Sequence, residues 1–183
     1  CNMVTIVTNE LRRRTPAWIQ HAMARRNQLQ LDHFLPYRLS VLTNVVSGAI
    51  AANYDRRFGL SIPEWRVLAV LGENAELSAA QVAQRTAMDK VAVSRAVASL
   101  LKARRISRSV ASSDRRRSAL RLTAAGRQVY AEVVPIALHY ERQLLQPLEP
   151  ADQSALDRIL AALLCRAEAL GPAQDVPPAQ RSR

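Results

Sequence analysis

Lys90, Ser94, Arg95 and Lys102 recur along one side of any helix drawn through residues 90–102, with nothing bulkier than Val91 between them. Ammonium and guanidinium groups so placed neutralise phosphate, and short side chains let a surface approach the edges of stacked bases. Positive charge gathers around this stretch. From Arg85 to Thr123 eleven basic residues face only Asp89 and Asp114, so nine of the chain's formal +11 charges fall here. Arg108 and the run Asp114-Arg115-Arg116-Arg117 carry the field beyond the helix. An isolated arginine run is commonly a solvated face. This one follows a helix-turn-helix pattern, so a polyanion, double-stranded DNA, is the expected partner. Other chemistry is thinly provided. His21, His33 and His139 are dispersed without ligand spacing, and Cys1 and Cys165 make neither a metal set nor a disulfide framework. With no phosphate-binding glycine loop and no nucleophile elbow, neither a catalytic site, a metal nor a cofactor is expected.

The elements that must position these groups follow from caps and periodicity. Ser78 and Gln81 have the spacing of a capping box, which starts a short helix over Ala79–Arg85. Thr86-Ala87-Met88 turns the chain, and Asp89 caps a second helix from Lys90 to about Ala103. Val93, Ala96, Val97 and Leu100 supply its buried face. Ile106–Val110 and Ala119–Leu122 alternate as a two-stranded hairpin, with Ser112–Arg117 as its tip. Ser78 at the head of the motif and Arg108 on the hairpin complete the DNA-facing set.

Upstream, Thr15 and Pro16 start a short helix through about Gln28. Asp32 is the expected cap of the longest helix, which tolerates Pro36 in its first turn and ends at Gly59. A second capping box, Ser61 with Glu64, opens a helix through Leu71 that Gly72 stops. Downstream, Thr123 caps a helix over Ala124 to about Leu145, and Pro147–Pro150 breaks it. A last amphipathic helix, Ala151–Leu170, shows Leu156, Ile159, Leu160, Leu163 and Leu164 on one side.

The expected fold is mainly α, a winged helix-turn-helix with long flanking dimerisation helices. In a chain of 183 residues, 49% of them hydrophobic, residues 1–31 form an N-terminal extension, an arm plus a short helix. Residues 32–170 form the winged-helix domain, with 60–123 as the DNA-binding lobe and 32–58 plus 124–170 as dimerisation helices. Residues 171–183, rich in Pro and Gln, read as a disordered tail. Apolar helices on both sides of a DNA-binding lobe predict a homodimer that offers two recognition helices to a pseudo-palindromic site. Only 4% of residues are aromatic, which argues against a stacking platform for single strands. No apolar run approaches the roughly 20 residues that span a bilayer, and the start lacks a secretory core. A cytoplasmic location with no membrane partner is expected.

Four motifs, in order, carry a resemblance. Phe58-Gly-Leu-Ser-Ile-Pro-Glu-Trp-Arg-Val-Leu68, Met88-Asp-Lys90 with Val93-Ser-Arg-Ala-Val97, Asp114-Arg-Arg116, and Leu122-Thr-Ala-Ala-Gly126 resemble the multiple antibiotic resistance regulator (MarR) family. The similarity runs from about Phe34 to Leu170. It implies a homodimeric transcription factor with a winged helix-turn-helix in each subunit, most often a repressor, and often one released by a small phenolic or aromatic carboxylate. It makes Lys90–Lys102 the recognition helix and puts Arg116 in the minor groove, oriented by Asp114. A narrow minor groove concentrates negative potential, and a guanidinium held by a carboxylate enters it with little entropy left to lose. The family often has Gly just after the recognition helix, where this chain has Arg104. A residue with a Cβ there must either avoid positive φ or bear its cost.

The resemblance also places an effector pocket near the first long helix and the helix after it. Tyr37, Arg38, Ser40, Asn44 and Trp65 are the polar and aromatic groups available there, and an arginine beside an aromatic wall suits a planar carboxylate. For Trp65 the stronger reading is a core position. Cys165, among leucines on the last helix, reads as a small buried hydrophobe, with oxidant sensing as the alternative. The rival functions are a ligand-blind or redox-responsive DNA-binding protein and, from another class, a helical enzyme whose basic field draws an anionic substrate.

Overall fold

The computed structural model of the protein describes residues 29–111 and 114–171. The expected N-terminal arm and short helix, the hairpin's Ser112-Ser113, and the tail beyond Gly171 lie outside the described residues. The chain divides into two compact units, residues 1–49 and 50–183.

In the first unit a 3-10 turn, Leu31–His33, precedes helix α1, Leu35–Phe58, whose C-terminal part belongs to the second unit. Asp32 therefore does not cap α1, contrary to the sequence expectation. The cause is Pro36. A cap at residue 32 would put Pro36 at the fourth helical position, where the first intrahelical N–H bond is made and proline has no N–H. Starting at Leu35 moves Pro36 to the second position, where the donor is unpaired in any case. Arg38 N–H then donates to the Phe34 carbonyl at 3.1 Å. Along this unit Leu35, Tyr37, Leu39, Val41, Leu42 and Val45 remain exposed.

The second unit continues with α2 (Ile62–Glu73), α3 (Ala79–Thr86), α4 (Lys90–Lys102), β1 (Ile106–Ala111), β2 (Asp114–Leu122), α5 (Ala124–Leu145) and α6 (Pro150–Leu170). Gly59 takes a left-handed φ of 59° and ends α1 as expected. Gly72 does not stop α2, which runs on to Glu73. Its bareness answers a packing need instead. A Cβ at Gly72 would overlap the Tyr130 ring of α5. The core gathers Leu60, Val67, Leu68 and Leu71 from the α2 segment, Val82 from α3, the α4 face, Ile106, Leu120 and Leu122 from the hairpin, and Val133 from α5.

The hairpin is longer than its alternation suggested. Arg115, Arg116 and Arg117 belong to β2 rather than to a tip, and the antiparallel register slips between Val110, opposite Ser118, and Ala111, opposite Asp114. Arg115–Arg117 fall in this slip, three residues of β2 without a partner across the ladder, as a bulge allows. A further bridge joins the ribbon to the α2–α3 connector. Leu77 N–H donates to the Leu120 carbonyl at 3.1 Å, and Leu120 N–H donates back to Leu77 at 2.7 Å. At the far end, α6 leaves Ile159, Leu160, Leu163 and Leu164 exposed, with Leu164 at 62%.

Candidate nucleic-acid interface

Two caps set the pair of helices that carries the basic face. Ser78 N–H donates to Gln81 Oε1 at 2.8 Å while Gln81 N–H donates to Ser78 Oγ at 3.2 Å, the reciprocal closure expected of a capping box. The turn after α3 puts Ala87 at a left-handed φ of 51°. Thr86 Oγ1 donates back to the Val82 carbonyl at 2.7 Å. One Asp89 carboxylate oxygen then accepts from Val91 N–H and Ala92 N–H at 2.9 and 2.8 Å. Val93, Ala96, Val97 and Leu100 are buried as the spacing predicted, which leaves Lys90, Val91, Ser94, Arg95, Ala98 and Lys102 exposed on the other face. Arg108 is exposed on β1. Ser78 is half-buried, its hydroxyl committed to the capping box. The backbone of Asp114–Arg117 belongs to β2, at the end of the ribbon remote from the core.

Behind this face lies a junction that the sequence did not disclose. Arg104, just past α4, takes φ 55°, so the residue standing where the family often has Gly does bear a left-handed conformation. Arg104→Gly should raise stability by about 1 kcal/mol, read as a higher urea midpoint with an unchanged slope. An unchanged or lowered midpoint would mean that this φ carries no strain. Next to it, the Arg105 guanidinium donates to the Phe58 carbonyl at the end of α1. Thr123 Oγ1 donates to the carbonyls of Arg104 and Arg105, 2.8 and 3.0 Å away, and accepts from Gly126 N–H at 3.1 Å. One hydroxyl thus caps α5 and ties it to the end of α4. Gly126 lies so close to the Arg105 carbonyl that a Cβ would overlap it.

Glu64 completes the junction. It is the one charged side chain buried among the described residues. Its Oε2 accepts from Ser61 N–H at 2.7 Å and from Ser61 Oγ at 2.6 Å. Burial pushes its carboxyl up, but the Ser61 and Ser99 hydroxyls, the Ser61 N–H and the Arg105 charge together hold it below the ordinary glutamate value. Ser99 comes from α4, so the carboxylate links α2 to the helix carrying the basic face. The local capping box announced Ser61 and Glu64; their reach to Ser99 and Arg105 had no local signature.

The effector candidates do not form one group. Tyr37 and Arg38, with Asp32, Val41, Leu42 and Val45, line an open depression of about 390 Å³ on the first unit. Ser40 and Asn44 do not line it. Trp65 sits between two tyrosines of the second unit, 5.8 Å from Tyr54 and 6.1 Å from Tyr130 between ring centroids, and packs on the core. Cys165, expected to be buried, is exposed among the described residues, as are its neighbours on α6.

Comparison with known proteins agrees with this architecture. The MarR family profile matches residues 58–117, from the end of α1 into β2. A MarR/EmrR family transcriptional regulator from Acinetobacter sp. ADP1 is 28% identical, superposes with a TM-score of 0.71, and aligns over 77% of this chain and 99% of its own. A probable transcriptional regulator from Pseudomonas aeruginosa is 30% identical, with a TM-score of 0.63 over 73% of this chain and 99% of its own. Bordetella bronchiseptica BpsR, whose DNA binding is regulated by 6-hydroxynicotinic acid, shares the fold at 23% identity and a TM-score of 0.65, over 75% of this chain and 97% of its own. A search of curated proteins finds no match. Among the described residues no helix is long and apolar enough to cross a membrane. The mainly helical winged-helix architecture, the matched profile and the Pseudomonas relative converge on one assignment: this chain belongs to the MarR family of transcriptional regulators.

Proposed function

We propose that the protein is a homodimeric, sequence-specific DNA-binding repressor released by a small aromatic carboxylate or phenol. Helix α4 enters the major groove, and the β1–β2 ribbon carries Arg116 into the adjacent minor groove with Asp114 orienting it. The observation that carries this reading is the division of α4 into a fully buried face and an exposed face of basic and short side chains. Lys90, Arg95 and Lys102 take phosphate or base edges, Ser94 and Val91 approach the bases, and Arg108, Arg115 and Arg117 hold the flanking backbone. Ser78 N-caps α3, the helix that crosses the backbone. A second copy would cover the apolar residues that, among the described residues, are exposed on α6 and on the N-terminal part of α1. The effector reading rests on Arg38 and Tyr37, a guanidinium and an aromatic ring in one apolar depression. BpsR's response to 6-hydroxynicotinic acid suggests the ligand class to try.

The test is fluorescence anisotropy at fixed salt on the DNA upstream of the protein's own gene, against random duplex, with and without a panel of aromatic carboxylates. Preference for that DNA, lost on adding one compound, supports an effector-relieved regulator. No preference over random duplex for any selected sequence overturns the reading. Arg116→Ala should weaken binding to all sequences alike and lower the salt slope by about one. An unchanged slope would remove Arg116 from the DNA contact.

A further inference from the structure

Val91 is 58% exposed. Among the described residues every other large hydrophobic side chain left exposed lies at or before Val45 or at or after Leu138, on or beside the flanking helices. Val91 stands alone in the lobe, and it stands on the basic face. Ser94 and Arg95 follow it three and four positions on, so the three form one continuous patch, with Lys90 beside it. Two of the backbone donors at this end of α4 are taken by the Asp89 carboxylate, which accepts from Val91 N–H and Ala92 N–H. What this end of the helix offers a partner is therefore chiefly its side chains.

A branched apolar group in such a surface has little to gain from phosphate, ribose or the polar edges of the bases. The major groove presents one apolar group, the C5 methyl of thymine, so that a side chain packed on it distinguishes T·A from the other pairs. On the reading that α4 enters the major groove, we infer that Val91 is a specificity-determining residue that reads a thymine methyl in each half-site. Ser94 and Arg95 then address the hydrogen-bonding edges of neighbouring base pairs. Because both protomers of a two-fold dimer present the same patch, the thymine occurs symmetrically.

The experiment uses the full-length protein and a duplex selected by it from a random library. Each thymine in turn is replaced by deoxyuridine, which removes the methyl and keeps every hydrogen-bonding group. For the wild type, one symmetry-related thymine pair should lose about three- to fivefold in affinity per half-site when demethylated, the loss expected for one buried methyl-sized group. Val91→Ala should bind the unsubstituted duplex more weakly, be indifferent to deoxyuridine at that pair, and keep the wild-type response elsewhere. The thermal midpoint of Val91→Ala, an exposed position, reports whether the variant is folded. If the library yields no preferred sequence, α4 is not a base reader and both readings fall. If the wild type selects a sequence but tolerates deoxyuridine at every position, or if Val91→Ala is as sensitive as the wild type at the same pair, the thymine assignment is overturned while the DNA-binding reading stands.

Discussion

Gly126→Ala should cost about 3 kcal/mol of stability, at the upper end of overpacking effects, visible as a lowered urea midpoint. The added methyl group has nowhere to go. Its position coincides with the Arg105 carbonyl, a backbone atom with no rotamer through which to yield. Moving the first turn of α5 away would lengthen the 3.1 Å bond from Gly126 N–H to Thr123 Oγ1 and loosen the same hydroxyl's hold on the Arg104 and Arg105 carbonyls. Those two residues set the exit from α4, so DNA affinity should fall along with stability. Normal stability in Gly126→Ala would mean that α5 can shift freely, and the close approach would then have no structural importance. Thr123→Ser, which keeps the hydroxyl, is the control that should leave the junction intact.

Glu64→Ala should cost about 2–3 kcal/mol, because it removes half of a capping box, the acceptor of Ser99 and the negative charge facing Arg105. Glu64→Gln separates shape from charge. Glutamine can still close the capping box, so at neutral pH its cost should be about 1 kcal/mol. The two proteins should diverge in acid. In the folded chain the Glu64 carboxyl titrates below its ordinary 4.5, so on acidification the unfolded chain takes up the proton first. The charge-dependent stability is complete above 4.5 and drains away as pH falls through the lower, folded value. Urea midpoints measured from pH 6 down to 3 should thus fall more steeply for the wild type than for Glu64→Gln. Parallel curves would show that the buried carboxylate contributes nothing through its charge.

The residues that were legible in the sequence are those whose partners are close along the chain. Ser61 with Glu64, Ser78 with Gln81, and Asp89 with the amides after it all satisfy bonds within one helical turn, and each cap was found where its spacing placed it. The α4 core face was equally plain, since four apolar residues at helical spacing leave little choice. What escaped were decisions made by distant neighbours. Gly72 looked like a stop and is instead the seat of the Tyr130 ring; no local rule distinguishes the two. Arg105 reads as one more basic residue in a basic stretch, and only the fold turns it toward the Phe58 carbonyl. Asp32 looked like a cap until the missing N–H of Pro36 moved the helix start. Tyr37 and Arg38 share a depression, but Trp65 packs in the aromatic row of the core, the reading the sequence favoured for it, and Ser40 and Asn44 do not line the depression.

The bridge between Leu77 and Leu120 bears on how the lobe comes apart. By joining the connector before α3 to the C-terminal part of β2, it closes the intervening chain, both helices of the motif included, into a loop sealed by two backbone bonds. Residues inside a sealed loop cannot fray one at a time from an end. Opening α4 alone would strand its apolar face while the seal kept its entropy low, so the cheaper fluctuation releases α3, α4 and the ribbon together. Helix α4 and the ribbon therefore belong to one cooperative opening unit. On the proposed reading, DNA is met with both in place or with neither.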